Sequence, residues 1–330
     1  MGTDMGTPGT LGLEDLDLES GESMPTAEVH YRVHGPASGA EATVLLPTYY
    51  TGTDASYAPW IGPGRALDPT RHRIVVVNHL GGGVSTSPST TGGPFPHVSI
   101  GDLAGVAWLV LESLGIEHVD LAAGWSLGGM QALELAAQRP GDVATVLAVC
   151  SAARCSAINR VFLESVAAVL RVDSELGVGP AARGLDAFGR VYAGWAYSEE
   201  FFEDGHFTEL GYSSITDVLE SWGADHVQHD ALDLLASLRT WLAADVALGS
   251  VRARTVLMPS STDRYFTPAE NEKEVAALSH GALWTLVSPL GHVAGRPGVR
   301  RQEQALVDEA LRALLDPSTR TSTQPKENMT

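Results

Sequence analysis

The sequence has very little lysine and very little cysteine. Lys273 and Lys326 are the only lysines among the 330 residues, and arginine supplies the other basic charges. Catalysis through a lysine Schiff base and phosphate binding through a P-loop lysine therefore have few candidate residues. Cys150 and Cys155 are too few for a disulfide framework or a four-thiolate metal site; a single bridge between them is possible, but we expect reduced structural thiols.

Basic charge is scarce, and long apolar segments are missing. The chain has 21 Lys and Arg residues against 40 Asp and Glu residues, a formal net charge of −19. Nucleic acids and anionic membranes select basic surfaces, so we expect neither as a partner. The apolar runs at residues 106–111 and 144–150 are too short to span a bilayer, and the absence of any base before Arg32 argues against a signal or transit peptide. We therefore expect a globular, cytoplasmic protein.

Apolar strand-like runs alternate with helical patterns along most of the chain. Strands are predicted at residues 44–46, 74–77, 119–123, 143–149, 255–258 and 282–287. The alternation predicts the α/β class, with a mostly parallel central sheet of about eight strands. From residue 155 to 249 helical patterns replace the alternation, which predicts a helical insertion that covers the core as a lid.

The domain boundaries follow from these patterns. The core is predicted at residues 26–154 and 250–316, interrupted by the lid at residues 155–249. Residues 1–25 are rich in Gly, Thr, Asp and Glu, and we expect them to form a flexible acidic arm. Residues 317–330 are equally polar, and we expect a flexible tail there.

One motif in the core predicts nucleophilic chemistry. Gly124, Ser126 and Gly128 form a Gly-x-Ser-x-Gly pattern between a predicted strand and a predicted helix. This is the pattern of a nucleophile elbow, a turn so tight that it needs small residues two positions before and after the serine. The turn places the serine hydroxyl at a helix N-terminus, where the dipole favours developing negative charge. Ser126 is therefore the predicted nucleophile.

A serine nucleophile needs a histidine base and an acid that orients the histidine. On α/β-hydrolase scaffolds these follow in the order serine, acid, histidine, and we expect both partners after late strands of the sheet. Asp263 lies in the loop after the strand at 255–258, and His292 lies in a glycine-flanked loop after the strand at 282–287. These two residues are the predicted acid and base. Asp233 and Asp245 compete with Asp263, but both fall within the predicted helical insertion.

An acyl-transfer site also needs two N–H groups that bind the oxyanion. Leu127, the residue after the nucleophile, is expected to supply one of them. The loop after the first core strand should supply the other, and Tyr50 is the candidate there, although the usual His-Gly pair is absent. Tyr49 and Tyr50 fit equally well as walls of the pocket.

Two histidines have the spacing of a metal-ligand pair. His226 and His229 are three residues apart, but no convincing third ligand accompanies them. A solvated helix face is the favoured interpretation of this pair. Because the triad supplies both nucleophile and base, we expect no metal or redox cofactor.

Several further segments resemble the homoserine O-acetyltransferase branch of the α/β-hydrolase superfamily. They include residues 78–83, 87–89 and 95–102, and the resemblance extends from about residue 41 to residue 315. It implies an α/β-hydrolase fold, an acyl-serine intermediate, acetyl-CoA as acyl donor, and a homodimer formed through the helical insertion. It also implies the same site: Ser126, Asp263 and His292 as the triad, with Leu127 and Tyr50 as oxyanion donors.

Two positions depart from that branch. Homoserine acetyltransferases hold the substrate ammonium with an aspartate directly after the catalytic histidine, where this sequence has Val293. They hold the substrate carboxylate with an arginine, where this sequence has Leu163, with Arg160 almost one helical turn away. We therefore expect an alcohol acceptor other than a zwitterionic amino acid. Other segments resemble α/β-fold hydrolases that have no assigned substrate.

Together these patterns predict an esterase-type hydrolase of a small or medium acyl ester. The pocket is expected to be apolar to mildly polar, with substrate-binding residues drawn from Tyr49, Trp125, Met130, Arg160, Phe162 and Trp195. Two alternatives stay open. One is an O-acyltransferase that uses acetyl-CoA or another acyl-CoA as co-substrate with an alcohol other than homoserine; the other is a low-turnover ligand-binding protein. The expected partners are accordingly a small-molecule ester, or an alcohol and an acyl-CoA.

Overall fold

A computed structural model describes residues 6–92, 94–176 and 182–316, except for the side chains of residues 172–176 and 182. The predicted tail at residues 317–330 lies outside the described residues. Within them, no helix combines the length and the apolar character needed to cross a membrane.

One eight-stranded sheet forms the centre of the molecule, in the order β1-β2-β4-β3-β5-β6-β7-β8. β1 pairs with β2 and β2 pairs with β4 in the antiparallel sense, and every other pair is parallel. The predicted α/β class with a mostly parallel sheet of about eight strands is therefore confirmed. The strands are β1 (Thr7–Asp17), β2 (Ser23–His34), β3 (Thr43–Pro47), β4 (Arg73–Val77), β5 (Val119–Trp125), β6 (Val143–Val149), β7 (Arg254–Met258) and β8 (Gly281–Leu283).

The central strands are apolar because both faces of the sheet are covered. Val44, Leu45 and Leu46 of β3 are all fully buried, as a parallel sheet between two helical layers requires. In the described part of the chain ten α-helices accompany the strands: α1 (Pro88–Thr91), α2 (Ile100–Ser113), α3 (Leu127–Gln138), α4 (Ala157–Leu176), α5 (Ala182–Ala196), α6 (Glu199–Glu203), α7 (Ile215–His226), α8 (Ala231–Ala243), α9 (Pro268–Ala277) and α10 (Arg301–Leu315).

The predicted flexible arm at residues 1–25 is wrong over its described part. Residues Thr7–Asp17 form β1, which pairs along its length with β2. Leu11, Leu13 and Leu16 of this strand pack, partly buried, against the core. The prediction rested on the acidic composition and did not consider the short alternation of apolar residues in this segment. Because of that alternation, one face of the strand can be buried.

The last predicted strand is shorter in the structure than in the sequence pattern. The segment expected at residues 282–287 is β8 only over Gly281–Leu283. Beyond it, single contacts replace the regular ladder: Trp284 N–H donates to Leu257 O at 3.0 Å, and Ser260 and Leu286 form an isolated bridge. The apolar pattern therefore identified the path of the chain but not the end of the regular pairing.

The segment between β6 and β7 is helical and contains α4 to α8. Its two ends are joined where they leave and re-enter the core: Arg154 and Asp245 form an antiparallel bridge, and backbone hydrogen bonds of 3.2 Å and 2.9 Å flank it. We call these paired residues, 153–155 and 244–246, the stem. The stem fixes the start and the end of the insertion against each other.

A buried carboxyl group on α9 holds the stem. Glu274 Oε1 accepts a hydrogen bond from Ala153 N–H at 2.8 Å, and Oε2 accepts one from Asn271 Nδ2 at 3.1 Å. Burial raises the pKa of Glu274 from 4.5 to about 7, because desolvation of the carboxylate outweighs these hydrogen bonds. The folded chain therefore holds this proton at pH values where the unfolded chain has released it.

We expect the Glu274→Gln variant to lose part of the pH dependence of stability. A raised carboxyl pKa stabilises the fold fully below the unfolded value of 4.5, and this contribution is lost as the pH rises through about 7. The free energy of unfolding of the wild type should therefore fall more steeply from about pH 5 to about pH 8 than that of the variant. Urea denaturation at both pH values measures the difference. Glu272→Gln, on an exposed position of the same helix, is the control; parallel pH dependences for wild type and Glu274→Gln would contradict the prediction.

Candidate active site

Ser126 lies at the point where β5 ends and α3 begins. Its backbone has φ 58° and ψ −127°, a strained conformation for a residue with a side chain. A Cβ on Gly124 would overlap the backbone of Gly128, and a Cβ on Gly128 would approach the carbonyl of Pro47. Small residues are needed two positions before and two positions after the serine because backbone segments are in direct contact there.

Asp263, His292 and Ser126 form a continuous hydrogen-bonded chain. His292 Nδ1 lies 2.8 Å from Asp263 Oδ2, and His292 Nε2 lies 3.0 Å from Ser126 Oγ. The side chains of His292 and Asp263 are 2% and 0% exposed. Because a carboxylate only accepts hydrogen bonds, Nδ1 carries the ring proton and Nε2 is left to accept from the serine hydroxyl. The three residues predicted from the sequence therefore meet in a geometry that can remove the hydroxyl proton.

Neighbouring groups fix the orientation of the acid and of the imidazole. Asp263 Oδ1 accepts from the N–H groups of Tyr265 at 3.1 Å and Phe266 at 3.0 Å, which directs Oδ2 toward His292. The imidazole packs against Trp125 and Tyr265, with ring centroids 5.0 Å and 4.4 Å away. Trp125 Nε1 also donates to the backbone carbonyl of His292 at 3.2 Å. The histidine is therefore held on both its side chain and its backbone.

Neither competing acid reaches this imidazole. Asp233 accepts hydrogen bonds from the N–H of Ser89 at 2.9 Å and from its hydroxyl at 2.5 Å. The carboxylate of Asp245 is 74% exposed and lies 3.9 Å from Arg154 in the stem. The geometry favours Asp263 as the acid.

The two predicted oxyanion donors are free to bind a ligand. Leu127 directly follows the serine at the start of α3, and Tyr50 lines the same cavity as Ser126. Within the described part of the chain, neither of these N–H groups donates a hydrogen bond to another residue. Free donors near the serine are what an oxyanion site requires.

The loop that carries Tyr50 is anchored through Thr48. The carbonyl of Thr48 accepts from Gln131 Nε2 at 2.8 Å, and its hydroxyl lies 2.8 Å from His79 Nδ1. His79 also lies 3.3 Å from the hydroxyl of Ser237 on α8, and burial lowers its pKa to about 4, so this imidazole is neutral. The core and the insertion together hold this loop in place.

A cavity of about 460 Å³ borders Ser126 and His292. Three of the predicted pocket residues, Tyr49, Tyr50 and Trp125, line it. Burial raises the pKa of Tyr49, so its hydroxyl stays protonated near neutral pH. These rings give the cavity an aromatic wall close to the serine.

The other four predicted pocket residues are not among those that line this cavity. Met130 is fully buried in the core, and Phe162 is fully buried in an aromatic cluster. Trp195 packs on Phe162, with ring centroids 5.3 Å apart. Arg160 is 57% exposed and lies 3.7 Å from Glu164, one turn along α4. The sequence identified aromatic helices in the insertion but could not tell which of their faces meets the cavity.

Helix α7 and the turn after it supply a wall that the sequence interpretation missed. This wall, which we call the α7 wall, consists of Ser221, Trp222, Asp225, His226, Gln228 and His229. The expected solvated face at His226 and His229 is wrong, because His226 is only 5% exposed and both residues line the cavity. The pocket is therefore more polar on this side than expected. Among the described residues no group of three or more His, Cys, Asp or Glu side chains could hold a metal ion.

Comparison with known proteins identifies relatives that are similar to this chain in sequence and in structure. Residues 44–173 match the family model described as alpha/beta hydrolase fold. The ethyl acetate hydrolase of Pseudomonas veronii is 31% identical, over 92% of this chain and 94% of its own. A homoserine O-acetyltransferase of Caulobacter vibrioides is 28% identical, over 85% of this chain and 88% of its own. The solved structure of the acetyl esterase MekB has a TM-score of 0.88 at 31% identity and covers 94% of this chain and 97% of that one.

Similarity therefore extends over nearly the whole chain rather than over the elbow alone. The resemblance predicted from the sequence is confirmed, since both esterases and homoserine acyltransferases are among the relatives. The mostly parallel sheet and the strained serine between β5 and α3 agree with it. The chain belongs to the α/β-hydrolase family.

Proposed function

We propose that this protein is a carboxylic ester hydrolase that acts through an acyl-Ser126 intermediate. The observation that carries the proposal is the buried hydrogen-bonded chain from Asp263 through His292 to Ser126. A serine hydroxyl becomes a useful nucleophile only when an adjacent base removes its proton, and this chain supplies that base with its ring already oriented.

The first half-reaction forms the acyl-enzyme. His292 Nε2 takes the proton of Ser126 Oγ as that oxygen attacks the carbonyl carbon of the ester. The N–H groups of Leu127 and Tyr50 bind the oxyanion of the tetrahedral intermediate. The bond to the alcohol oxygen then breaks, and the imidazolium returns its proton to the leaving alkoxide. Asp263 holds the Nδ1 proton and stabilises the imidazolium throughout.

The second half-reaction releases the acyl group. Water takes the place of the alcohol, and His292 removes a proton from it as its oxygen attacks the acyl carbon. When the second tetrahedral intermediate collapses, the bond to Ser126 Oγ breaks and the serine recovers its proton from the imidazolium. The net reaction converts one ester and one water into a carboxylic acid and an alcohol.

A short acyl group fits this site best. The relatives named ethyl acetate hydrolase and acetyl esterase act, by their names, on acetyl esters. Close to Ser126 the cavity is bounded by the rings of Tyr49, Tyr50 and Trp125, which suit a small apolar group. We therefore propose acetyl and similar short acyl esters as substrates.

Acyl transfer to an alcohol is the second candidate function. It is favoured by the similarity to a homoserine O-acetyltransferase over 85% of this chain. In that reaction an acyl-CoA would load Ser126, and an alcohol would take the place of water. Val293, a buried apolar residue after His292, argues against homoserine as that alcohol. The absence of a cofactor, a homodimer through the insertion and a cytoplasmic location remain predictions from the sequence.

Product partitioning tests hydrolysis against transfer. The protein is supplied with p-nitrophenyl acetate, with and without millimolar propan-1-ol, and acetate and propyl acetate are both quantified. We expect nearly all of the acyl group to appear as acetate, and we expect homoserine with acetyl-CoA to give no O-acetylhomoserine. Propyl acetate as the main product would make acyl transfer the function, and substantial O-acetylhomoserine would contradict the interpretation of Val293.

A further inference from the structure

The α7 wall presents one face of a helix to the catalytic cavity. Positions 221, 222, 225 and 226 of α7 follow helical spacing, so their side chains project to the same side, and position 229 lies in the turn after the helix. All five line the cavity that also contains Ser126 and His292. A ligand whose acyl carbon lies at Ser126 therefore has the α7 wall within the same enclosure.

Helix α7 is held rigidly against α5. A Cβ on Gly189 would overlap the carbonyl of Trp222, and a Cβ on Gly223 would overlap the carboxylate of Asp186, so the two helices are in close contact at both glycines. The ring of Phe188 lies 5.3 Å from that of His226 and adds an aromatic contact. Side chains on a wall held in this way are pre-organised for binding.

Two side chains of the α7 wall can accept hydrogen bonds from a ligand. His226 Nδ1 lies 2.7 Å from the carbonyl of Trp222, so Nδ1 carries the ring proton and Nε2 is an acceptor. The carboxylate of Asp225 is also an acceptor, and this side chain is exposed at the cavity wall. A simple alkyl ester such as ethyl acetate has no donor to offer these groups, whereas a hydroxylated one does.

The formal charges of the side chains that line the cavity beside the α7 wall cancel. Asp225 and Arg296 line it together, with opposite charges. Burial lowers the pKa of both His226 and His229, so both imidazoles are neutral near pH 7. The site therefore has no excess of either sign that would select a charged ligand, and the net charge of −19 further disfavours an anion.

Aromatic rings accompany these polar groups. Trp222 and Tyr192 lie nearly parallel, with ring centroids 5.9 Å apart, and both line the cavity along with Tyr212. Rigid rings beside hydrogen-bonding groups suit a ligand that has both C–H and O–H surfaces. An alcohol with several hydroxyl groups has both kinds of surface.

We propose that the α7 wall is a binding site for the alcohol part of the ester, and that this alcohol is neutral and carries several hydroxyl groups. His226 and Asp225 accept hydrogen bonds from its hydroxyls, while Trp222 contacts its carbon skeleton. The inference rests on the proposed esterase function and specifies the substrate class of the same site. Polyol and monosaccharide esters of short acids are the corresponding substrates.

Two esters with the same acyl group and the same number of alcohol carbons test the proposal. Glycerol 1-acetate and propyl acetate differ only in the two extra hydroxyl groups. We expect the wild type to hydrolyse glycerol 1-acetate with a kcat/KM roughly tenfold or more above that for propyl acetate. Equal values, or a preference for propyl acetate, would overturn the proposal and leave the esterase function intact.

The variant His226→Phe keeps an aromatic ring and removes the acceptor. We expect the ratio of kcat/KM for the two esters to fall roughly tenfold in this variant and by a similar factor in Asp225→Ala, whose exposed position makes misfolding a poor explanation. His280→Phe, at an exposed position outside the cavity, should keep the wild-type ratio. An unchanged ratio in both cavity variants would overturn the proposal. If the wild type hydrolyses neither ester and Ser126 does not react with a fluorophosphonate, the esterase function fails, and this proposal fails with it.

Discussion

The Ser126→Ala variant is expected to lose roughly 10⁵-fold or more in kcat for p-nitrophenyl acetate. Without the Ser126 hydroxyl no acyl-enzyme forms, and His292 and Asp263 have no nucleophile to activate. The remaining activity then depends on the oxyanion donors and on binding alone. Steady-state release of p-nitrophenol, corrected for spontaneous hydrolysis, measures the loss.

Covalent labelling gives an independent result for the same residue. A fluorophosphonate should add its phosphonyl group to Ser126 Oγ with loss of fluoride, and mass spectrometry of the peptides should locate the adduct there. Ser126→Ala should remain unlabelled, whereas Ser113→Ala, at an exposed serine on α2, should label and turn over like the wild type. A wild type that resists labelling at high probe concentration would instead support a binding protein with little turnover.

The Asp263→Asn variant is expected to lose about 10⁴-fold in kcat while the fold is preserved. The N–H groups of Tyr265 and Phe266 donate to Oδ1, and in the variant the amide oxygen takes that position. The amide NH₂ then faces His292 Nδ1 and donates to it, so the ring proton moves to Nε2. An imidazole protonated at Nε2 cannot accept the proton of Ser126.

The matched control for this variant is Asp245→Asn. Asp245 is a competing acid from the sequence, and its carboxylate is 74% exposed in the stem. Its amide variant should keep the wild-type kcat, and thermal unfolding should show that both variants fold. Loss of activity in Asp245→Asn with retention in Asp263→Asn would assign the acid to the insertion instead.

Much of the site could be predicted because its chemistry imposes local sequence patterns. The elbow needs Gly124 and Gly128 where backbones touch, and that need is visible in five consecutive residues. Asp263 and His292 could be identified because each follows a strand, and parallel strands bring their carboxyl ends to one edge of the sheet. The sheet was predictable for the same reason, since buried parallel strands are runs of apolar residues.

The pocket walls could not be predicted because they depend on how helices of the insertion pack. Phe162 and Trp195 have the composition of pocket residues but turn toward each other and the core. His226 looked like a surface residue because its neighbours in sequence are polar. In the structure the close approach of α7 to α5 buries it. Only the helical spacing of Ser221, Trp222, Asp225 and His226 could have indicated that these residues act together.

The sequence positions of the strands determine when activity can begin during synthesis. Six of the eight strands, among them β5, which leads into Ser126, are complete by the end of β6, at Val149. The acid and the base follow β7 and β8, which the ribosome makes only after the whole insertion. Because domains form as the chain emerges, N-terminal part first, a nascent chain contains the nucleophile long before it contains His292. A serine without its base is inert, so the growing polypeptide does not hydrolyse esters until it is nearly finished.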